Sequence, residues 1–400
     1  MAITTRESLS EKSAMKKNTR IDMVERALTL LDNEDTTRVD AIYLSPVESY
    51  TCKDWLALEE QILFRDYPLL VAFSCDLPSA GDFITHDATG VPLLLVRDKE
   101  GGINAFYNTC RHRGAKLAKG CGRAQTGLTC PYHAWTYDFT GNLKVLPDPV
   151  SFPGVDKAEH GLVKLPVVEK YGMIWVCPKR GKDFDIDAQL GGIDKGLVDD
   201  LKSYQFEDYH PYAQRRLHCK MNWKLMLDTF LEPYHFAPLH ATTVAPLLYH
   251  NLCLLDTYGQ NLREAVIRKS IEKQRQQPRE SWDIVPDSAL VYLLFPNAGL
   301  VMQRDHVELW RSYPVAGKPN ECTVQMDYYI PEPAETPSAK DHWERNMDLA
   351  VRTVLEEDIP GVEGIQAGLS SGAISHSTFG RNEPALIHFQ REIAKAIGRA

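Results

Sequence analysis

No stretch of the chain is both long and apolar. Pro92–Val96 is short, and Ala289–Met302 is interrupted by Pro296 and Asn297, well below the ~20 residues a spanning helix needs. No membrane association is expected. Positive charge is also scarce: Lys+Arg number 45 against 54 Asp+Glu, a net charge of −9 without a long basic run, which argues against nucleic acid as a partner. The N-terminal MAITTRESLSEKSAMKK lacks the apolar segment of a secretory signal, so a cytoplasmic location is expected. Regular cysteine spacing is missing too. The nine cysteines are an odd number, irregularly placed, which suits thiols or metal ligands in a reducing compartment better than a disulfide framework. No repeat is found, and no GxGxxG fingerprint, so direct nicotinamide binding is not expected. What remains is an ordinary globular composition, 44% hydrophobic and 25% charged over 400 residues, long enough for two or three domains. Function must then lie in local constellations.

Along the chain, Ile21, Met23, Val24, Ala27, Leu28, Leu30 and Leu31 recur near helical spacing and predict one packing helix. From Gly81 to Val176, short β-rich runs such as VPLLLVRD and KLPVVEKYGMIWVC alternate with turn signals such as KEGG and FTGN, the pattern of a small all-β domain. Beyond it, helices are expected around Trp223–Leu239 and Trp343–Leu369, with strands around Leu290–Leu294, Leu300–Gln303 and Cys322–Ile330. That is an α+β layer of helices against an antiparallel sheet. The expected divisions are an N-terminal helical segment over 1–48 packing on the last domain, a β domain over 49–180 and an α+β domain over 181–400. The polar IRKSIEKQRQQPRE reads as a solvated loop or lid.

Within NTCRHRGAKLAKGCGRAQTGLTCPYHAWTYD, Cys110 and His112 are one residue apart and Cys130 and His133 two, so each of two loops offers one thiolate and one imidazole. Tetrahedral zinc could take such a set, although zinc fingers usually pair like with like. The mixed pairing better suits a 2Fe-2S cluster with two Cys on one iron and two His on the other. Replacing two thiolates by neutral imidazoles raises the potential of such a cluster. The segments CRHRG, CPYH and AWTYD resemble the signature of the Rieske non-haem iron oxygenases, terminal oxygenase (alpha) subunit. The resemblance implies that Cys110 and Cys130 bind the inner iron and His112 and His133 the outer one, and leaves Cys121 a bystander.

Downstream lies NWKLMLDTFLEPYHFAPLH. Asp228, Glu232 and His235 share one face of a helix at i,i+4 and i,i+3 spacing. His235 and His240 are five apart, which points them some 140° away from each other on a regular helix at ~100° per residue. Pro233 and Pro238 are expected to kink the segment and aim both rings at one ion. Two His and one carboxylate with open positions form the facial triad of non-haem Fe(II) oxygenases. VLEEDIPGVEGIQAG offers Glu356, Glu357 and Asp358. The family's third ligand is an aspartate on a late helix followed closely by a glutamine, here Gln366, which selects Asp358 with Glu357 as the alternative. Glu207–His210 and Glu232–His235 also form paired ExxH motifs, as in di-iron bundles, but the four long helices of that fold are not predicted.

The resemblance covers about Tyr50 to Phe389. It implies a Rieske 2Fe-2S domain, a helix-grip catalytic domain with one mononuclear Fe(II), and a head-to-tail ring trimer, with or without a small beta subunit. It also implies O2 as co-substrate and electrons from an NAD(P)H-dependent reductase, directly or through a ferredoxin. In the family an acidic residue before the first iron histidine bridges a cluster ligand of one subunit to an iron ligand of the next. Glu232 stands there in place of the commoner aspartate, and Asp228 where glutamate is frequent; both are assigned catalytic roles. Glu232 would relay between His133 and His235 of neighbouring chains. The expected substrate is a small aromatic compound or aromatic acid, hydroxylated, dihydroxylated or demethylated. Leu290, Tyr292, Leu294, Met302 and Trp310 would line its pocket, and Arg304 or Arg311 would meet a carboxylate. The alternatives are a carnitine-like quaternary amine, since a glutamate bridge is known in that branch, and a Rieske electron carrier without oxygenase activity.

Overall fold

Short β-branched and aromatic runs broken by glycine turns form antiparallel strands in two contact units of a computed structural model, which describes residues 15–192 and 196–400. The expectations for residues 1–14 lie outside those residues.

The smaller unit is Glu60–Ile186. Its five-stranded sheet runs in the order Lys164–Leu165, Ile103–Tyr107, Leu93–Arg97, Asp82–His86, Cys121–Arg123. Leu93–Val96 are fully buried, so both faces of that central strand are covered, which explains its unbroken apolar run. A three-stranded sheet of Leu128–Thr129, Thr136–Tyr137 and Leu143–Val145 shares its core with the first. Cys110 and Cys130 belong to this core, together with Phe106, Trp135 and Tyr137. A further three-stranded sheet joins Val167–Lys170, Met173–Val176 and Leu69–Phe73.

The larger unit combines the chain up to Glu59 with Asp187–Ala400. Residues 49–59, assigned by the sequence to the β domain, therefore belong here. The reason is physical: Glu59 is wholly buried and ion-paired to Lys224 at 2.6 Å. Helix α1 (Lys17–Asp32) buries Ile21, Met23, Val24, Ala27 and Leu28, the residues whose periodicity predicts it.

The elements that frame the site are β1 (His210–Cys219), α2 (Trp223–Phe230), α3 (Phe236–Leu239), β2 (Leu248–Tyr258), β3 (Asn261–Arg268), β4 (Ser288–Leu294), β5 (Ala298–Met302), β6 (Val307–Val315), β7 (Lys318–Ile330), α4 (Pro337–Ala350), α5 (Ile359–Ser370) and α6 (Pro384–Ala396). The seven strands form one antiparallel sheet in the order β1-β7-β6-β5-β4-β3-β2, and α2 packs on β5, β6 and β7. A π-helical segment, Val351–Asp358, joins α4 to α5, so one long helix ends its irregular turn at Asp358. The predicted lid is less free than expected. Lys269–Gln276 forms 3-10 turns held by Gln274 donating to Asp287 at 2.6 Å and Ser270 donating to Asp287 at 2.5 Å.

Two candidate metal centres

In the smaller unit the two Cys/His loops close in the same way. The Cys110 N–H donates to the Ala115 carbonyl and the Gly114 N–H to the Cys110 carbonyl; the Cys130 N–H donates to the Trp135 carbonyl and the Ala134 N–H to the Cys130 carbonyl. Both loops need a left-handed residue to turn, Gly114 at φ +80° and Ala134 at φ +59°. Glycine adopts that conformation freely, whereas alanine is held there by its loop. The outcome is pairing of like with like. His112 Nδ1 and His133 Nδ1 lie 3.1 Å apart, while Cys110 and Cys130 are buried in the core. Trp135 stacks on His112 at 5.1 Å with 8° between the rings. The Tyr137 hydroxyl accepts the Arg111 N–H at 3.0 Å and lies 3.4 Å from Cys110 Sγ. Burial raises the Cys110 thiol above its usual range, so this thiol needs a cationic partner to ionise. Asn108 accepts the Leu117 and Ala118 N–H groups and braces the first loop. Neither Asn108 nor Tyr137 was singled out in the sequence, which offers no local signal for them. Cys121 is exposed and lies apart, on its own strand.

Four ligands of one tetrahedral ion must all lie within about 4 Å of one another. Among the described residues only His235, His240 and Asp358 form a His/Cys/Asp/Glu group with ligand atoms that close, all within 4.8 Å. Two paired imidazoles and two buried thiols are the donor set that a 2Fe-2S cluster with one histidine-ligated iron requires.

In the larger unit, Asn222 caps α2 and accepts the Lys224 N–H at 3.1 Å, while its own N–H donates to Gln366 at 2.7 Å. The glutamine that follows Asp358 thus ties the late helix to the start of α2. The regular helix ends at Phe230, earlier than expected, so Asp228, Glu232 and His235 do not share a helical face. Pro233 lies in the break, whereas Pro238 sits in the first turn of α3, where a missing N–H is harmless. His235 and His240 flank that turn as its two caps.

This arrangement aims both rings inward. His235 Nε2 and His240 Nε2 lie 3.2 Å apart, with Asp358 Oδ1 at 3.6 and 3.0 Å. The outward nitrogens are each held by a carboxylate: Glu232 Oε1 is 2.5 Å from His235 Nδ1, and Glu357 Oε2 is 2.6 Å from His240 Nδ1. A carboxylate at Nδ1 keeps the proton there and leaves the Nε2 lone pair for a metal. Asp358 Oδ1 is buried and accepts no hydrogen bond. Two lone pairs and an unsatisfied carboxylate oxygen facing one point fit a divalent ion. Glu357 is therefore outside the triad, anchored further by Thr243 Oγ1 at 2.7 Å; the sequence offered no sign of Thr243.

Asp228 is not brought into this group. Its carboxylate accepts from Tyr50 at 2.8 Å and Gln390 at 2.6 Å, and burial pushes its pKa up to about 7. Glu207 and His210 are both exposed, and nothing gathers them with the other ExxH pair.

His235, His240 and Asp358 lie in the wall of a cavity of about 520 Å³. Ala289, Val291 and Val301 line it, not Leu290, Tyr292, Leu294 or Met302. Alternate residues of a strand face opposite sides, and the expected lining sits on the wrong one. Tyr292 instead donates to Asp200 and Trp310 to Glu308. Arg304 does reach the cavity, whereas Arg311 is buried in an ion pair with Asp327.

A Cys/His-loop β unit is thus followed by an α+β unit that gathers a 2-His-1-carboxylate group, the donor set of a non-haem iron site. Residues 68–169 match the Rieske [2Fe-2S] domain and residues 206–399 the ring hydroxylating alpha subunit catalytic domain. The chain belongs to the Rieske oxygenases, as an alpha subunit. A 2Fe-2S cluster and a mononuclear non-haem iron are the cofactors of these two domains. The chain is 29% identical over 221 residues to the carnitine monooxygenase oxygenase subunit of Acinetobacter baumannii, a match spanning 54% of this chain and 57% of that one. It is 25% identical over 317 residues to the chloroplastic choline monooxygenase of Beta vulgaris, spanning 78% of this chain and 68% of that one. The crystal structure of a quaternary ammonium Rieske monooxygenase in complex with L-carnitine shares the fold, with a TM-score of 0.75 at 23% identity over 89% of this chain and 96% of that one. No helix among the described residues is long and apolar enough to cross a membrane.

Proposed function

We propose that the chain is the terminal oxygenase of a system that monooxygenates a quaternary amine. One oxygen atom of O2 enters the substrate and the other leaves as water, which consumes two electrons and two protons. The electrons come from NAD(P)H through a separate reductase, with or without a ferredoxin. The carrying observation is the convergence of His235, His240 and Asp358 at the wall of a cavity. The reading as an electron carrier leaves that convergence without a purpose. The names of the relatives, oxygenases of carnitine and choline, favour the amine over an aromatic substrate.

In this reading Cys110, Cys130, His112 and His133 hold the cluster, and His235, His240 and Asp358 hold the mononuclear iron. The iron, when bound, supplies an electron-rich centre with open positions where O2 is reduced beside the substrate. Glu232 and Glu357 keep the Nδ1 protons of His235 and His240 in place and so fix both ring orientations. Phe230 and Phe236 in the cavity lining offer π-faces to a cationic nitrogen. Glu232 is the relay between the cluster of one subunit and His235 of the next in a ring trimer.

Iron and acid-labile sulfide on anaerobically purified protein should stand at three to two, with a reduced EPR signal of a His-ligated 2Fe-2S cluster. O2 uptake with a promiscuous reductase should then depend on L-carnitine, glycine betaine or choline. Two irons to two sulfides would leave only an electron carrier, and uptake driven by benzoate or naphthalene but by no amine would overturn the substrate class.

A further inference from the structure

Arg268 and Arg304 both line the cavity, and among the described residues neither forms an ion pair. Arg268 spends its donors on neutral groups, the Ser288 carbonyl at 3.2 Å and the Gln303 amide oxygen at 2.6 Å. Arg304 is solvent-exposed at the cavity edge with no hydrogen-bonded side chain. The two guanidinium groups are close enough that Arg304 depresses Arg268, after burial itself. The nearby carboxylates of Asp305 and Asp287 offset this in part, but neither is hydrogen-bonded to a guanidinium. Asp287 is taken by Ser270 and Gln274, and Asp305 by His306 at 2.8 Å and His342 at 2.8 Å.

Two guanidinium groups in the wall of one cavity, neither hydrogen-bonded to a carboxylate, can receive an anionic group of a ligand. A carboxylate side chain lines the same cavity as well. Glu308 is 4% exposed, accepts the Trp310 indole N–H at 2.9 Å and lies 3.4 Å from His306 Nε2. The lining thus presents guanidinium groups to an anionic group and a carboxylate side chain to a cationic one.

Resting on the amine reading above, we infer that Arg268 and Arg304 bind a carboxylate of the substrate, so that this oxygenase takes a quaternary amine that is also a carboxylic acid, a zwitterion of the betaine type, in preference to an amino alcohol. Arg304 is the specificity-determining residue that can be changed safely, because it is exposed and packs in no core.

The test is calorimetric titration of the iron-loaded enzyme, oxidised and without reductase, with L-carnitine and with choline. These ligands share a trimethylammonium group, and only the first has a carboxylate. Wild type should bind L-carnitine at least about tenfold more tightly, and Arg304→Gln should lower the carnitine-to-choline affinity ratio about tenfold, the usual worth of one charge-assisted bond. Arg304→Lys should restore part of the ratio. In turnover the loss should appear in KM for L-carnitine with kcat nearly retained. Because the readout is a ratio, a general weakening of the fold does not imitate it. A wild-type enzyme that binds choline as tightly as L-carnitine, or a ratio that Arg304→Gln leaves unchanged, overturns the inference and leaves the amine reading standing. Binding of neither compound sinks both.

Discussion

The roles of neighbouring carboxylates at the iron site are separated by which histidine atom each one faces. Asp358 meets the two Nε2 atoms, whereas Glu357 meets His240 Nδ1. Asp358→Ala should therefore remove the mononuclear iron, lowering iron per chain from three to two while the EPR signal of the cluster persists. Glu357→Gln should keep the site and weaken it, by about 10–100-fold in metal affinity for a lost outer-shell partner; an Fe(II) titration measures both. A second residue-scale consequence concerns Glu264, buried on β3 with neither oxygen accepting an N–H or O–H donor. Burial pushes its pKa up to about 8, from an ordinary 4.5. The folded state thus holds this proton more tightly than the unfolded one. Its stabilising effect is complete below about pH 4.5 and is lost as pH rises towards 8, at up to ~1.4 kcal/mol per pH unit. Glu264→Gln lacks this slope. Its melting temperature relative to wild type should be higher at pH 8 than at pH 5, and an unchanged difference would contradict the buried acid.

At the scale of elements, the position of α2 depends on a buried pair. Lys224 and Glu59 are both fully buried and meet at 2.6 Å, and Glu59 also accepts the Trp223 indole N–H. Burial raises the Glu59 carboxyl and lowers the Lys224 amine, each opposed by its partner. Lys224→Met strands the carboxylate and should destabilise by ~3–5 kcal/mol, with a large part recovered when Glu59 is also made apolar. Urea midpoints of the two variants decide this. The break between α2 and α3 was legible in part. Pro233 signals it, but Pro238 has the same letter and does the opposite, because a proline ends a helix or begins one according to position. Strand existence around Leu290 and Cys322 was readable from apolar runs. The side of the strand that faces the cavity was not, since β4 is buried on both faces and an unbroken apolar run carries no period-2 signal.

At the scale of the whole molecule, the proposed ring passes electrons from the cluster of one subunit to the iron of the next. A chain with Cys130→Ser lacks the cluster, and one with Asp358→Ala lacks the iron. Mixed at random in equal amounts, a productive junction needs the second chain followed by the first, which occurs at about one junction in four. Activity should recover to about a quarter of wild type, and zero recovery would confine transfer to a single subunit.

What the amino-acid order determined by itself was local chemistry. The spacings Cys-x-His and Cys-x-x-His, and the order of His235, His240 and a late Asp358, set which donors are available, because ligand identity and short loop lengths are covalent facts. What only the tertiary structure decided was long-range. It chose Asp358 over Glu357, put Asp228 with Tyr50 and Gln390, drew residues 49–59 into the larger unit and set Arg268 beside Arg304. Each depends on how elements distant in sequence meet in space, and packing, rather than spacing, settles those contacts.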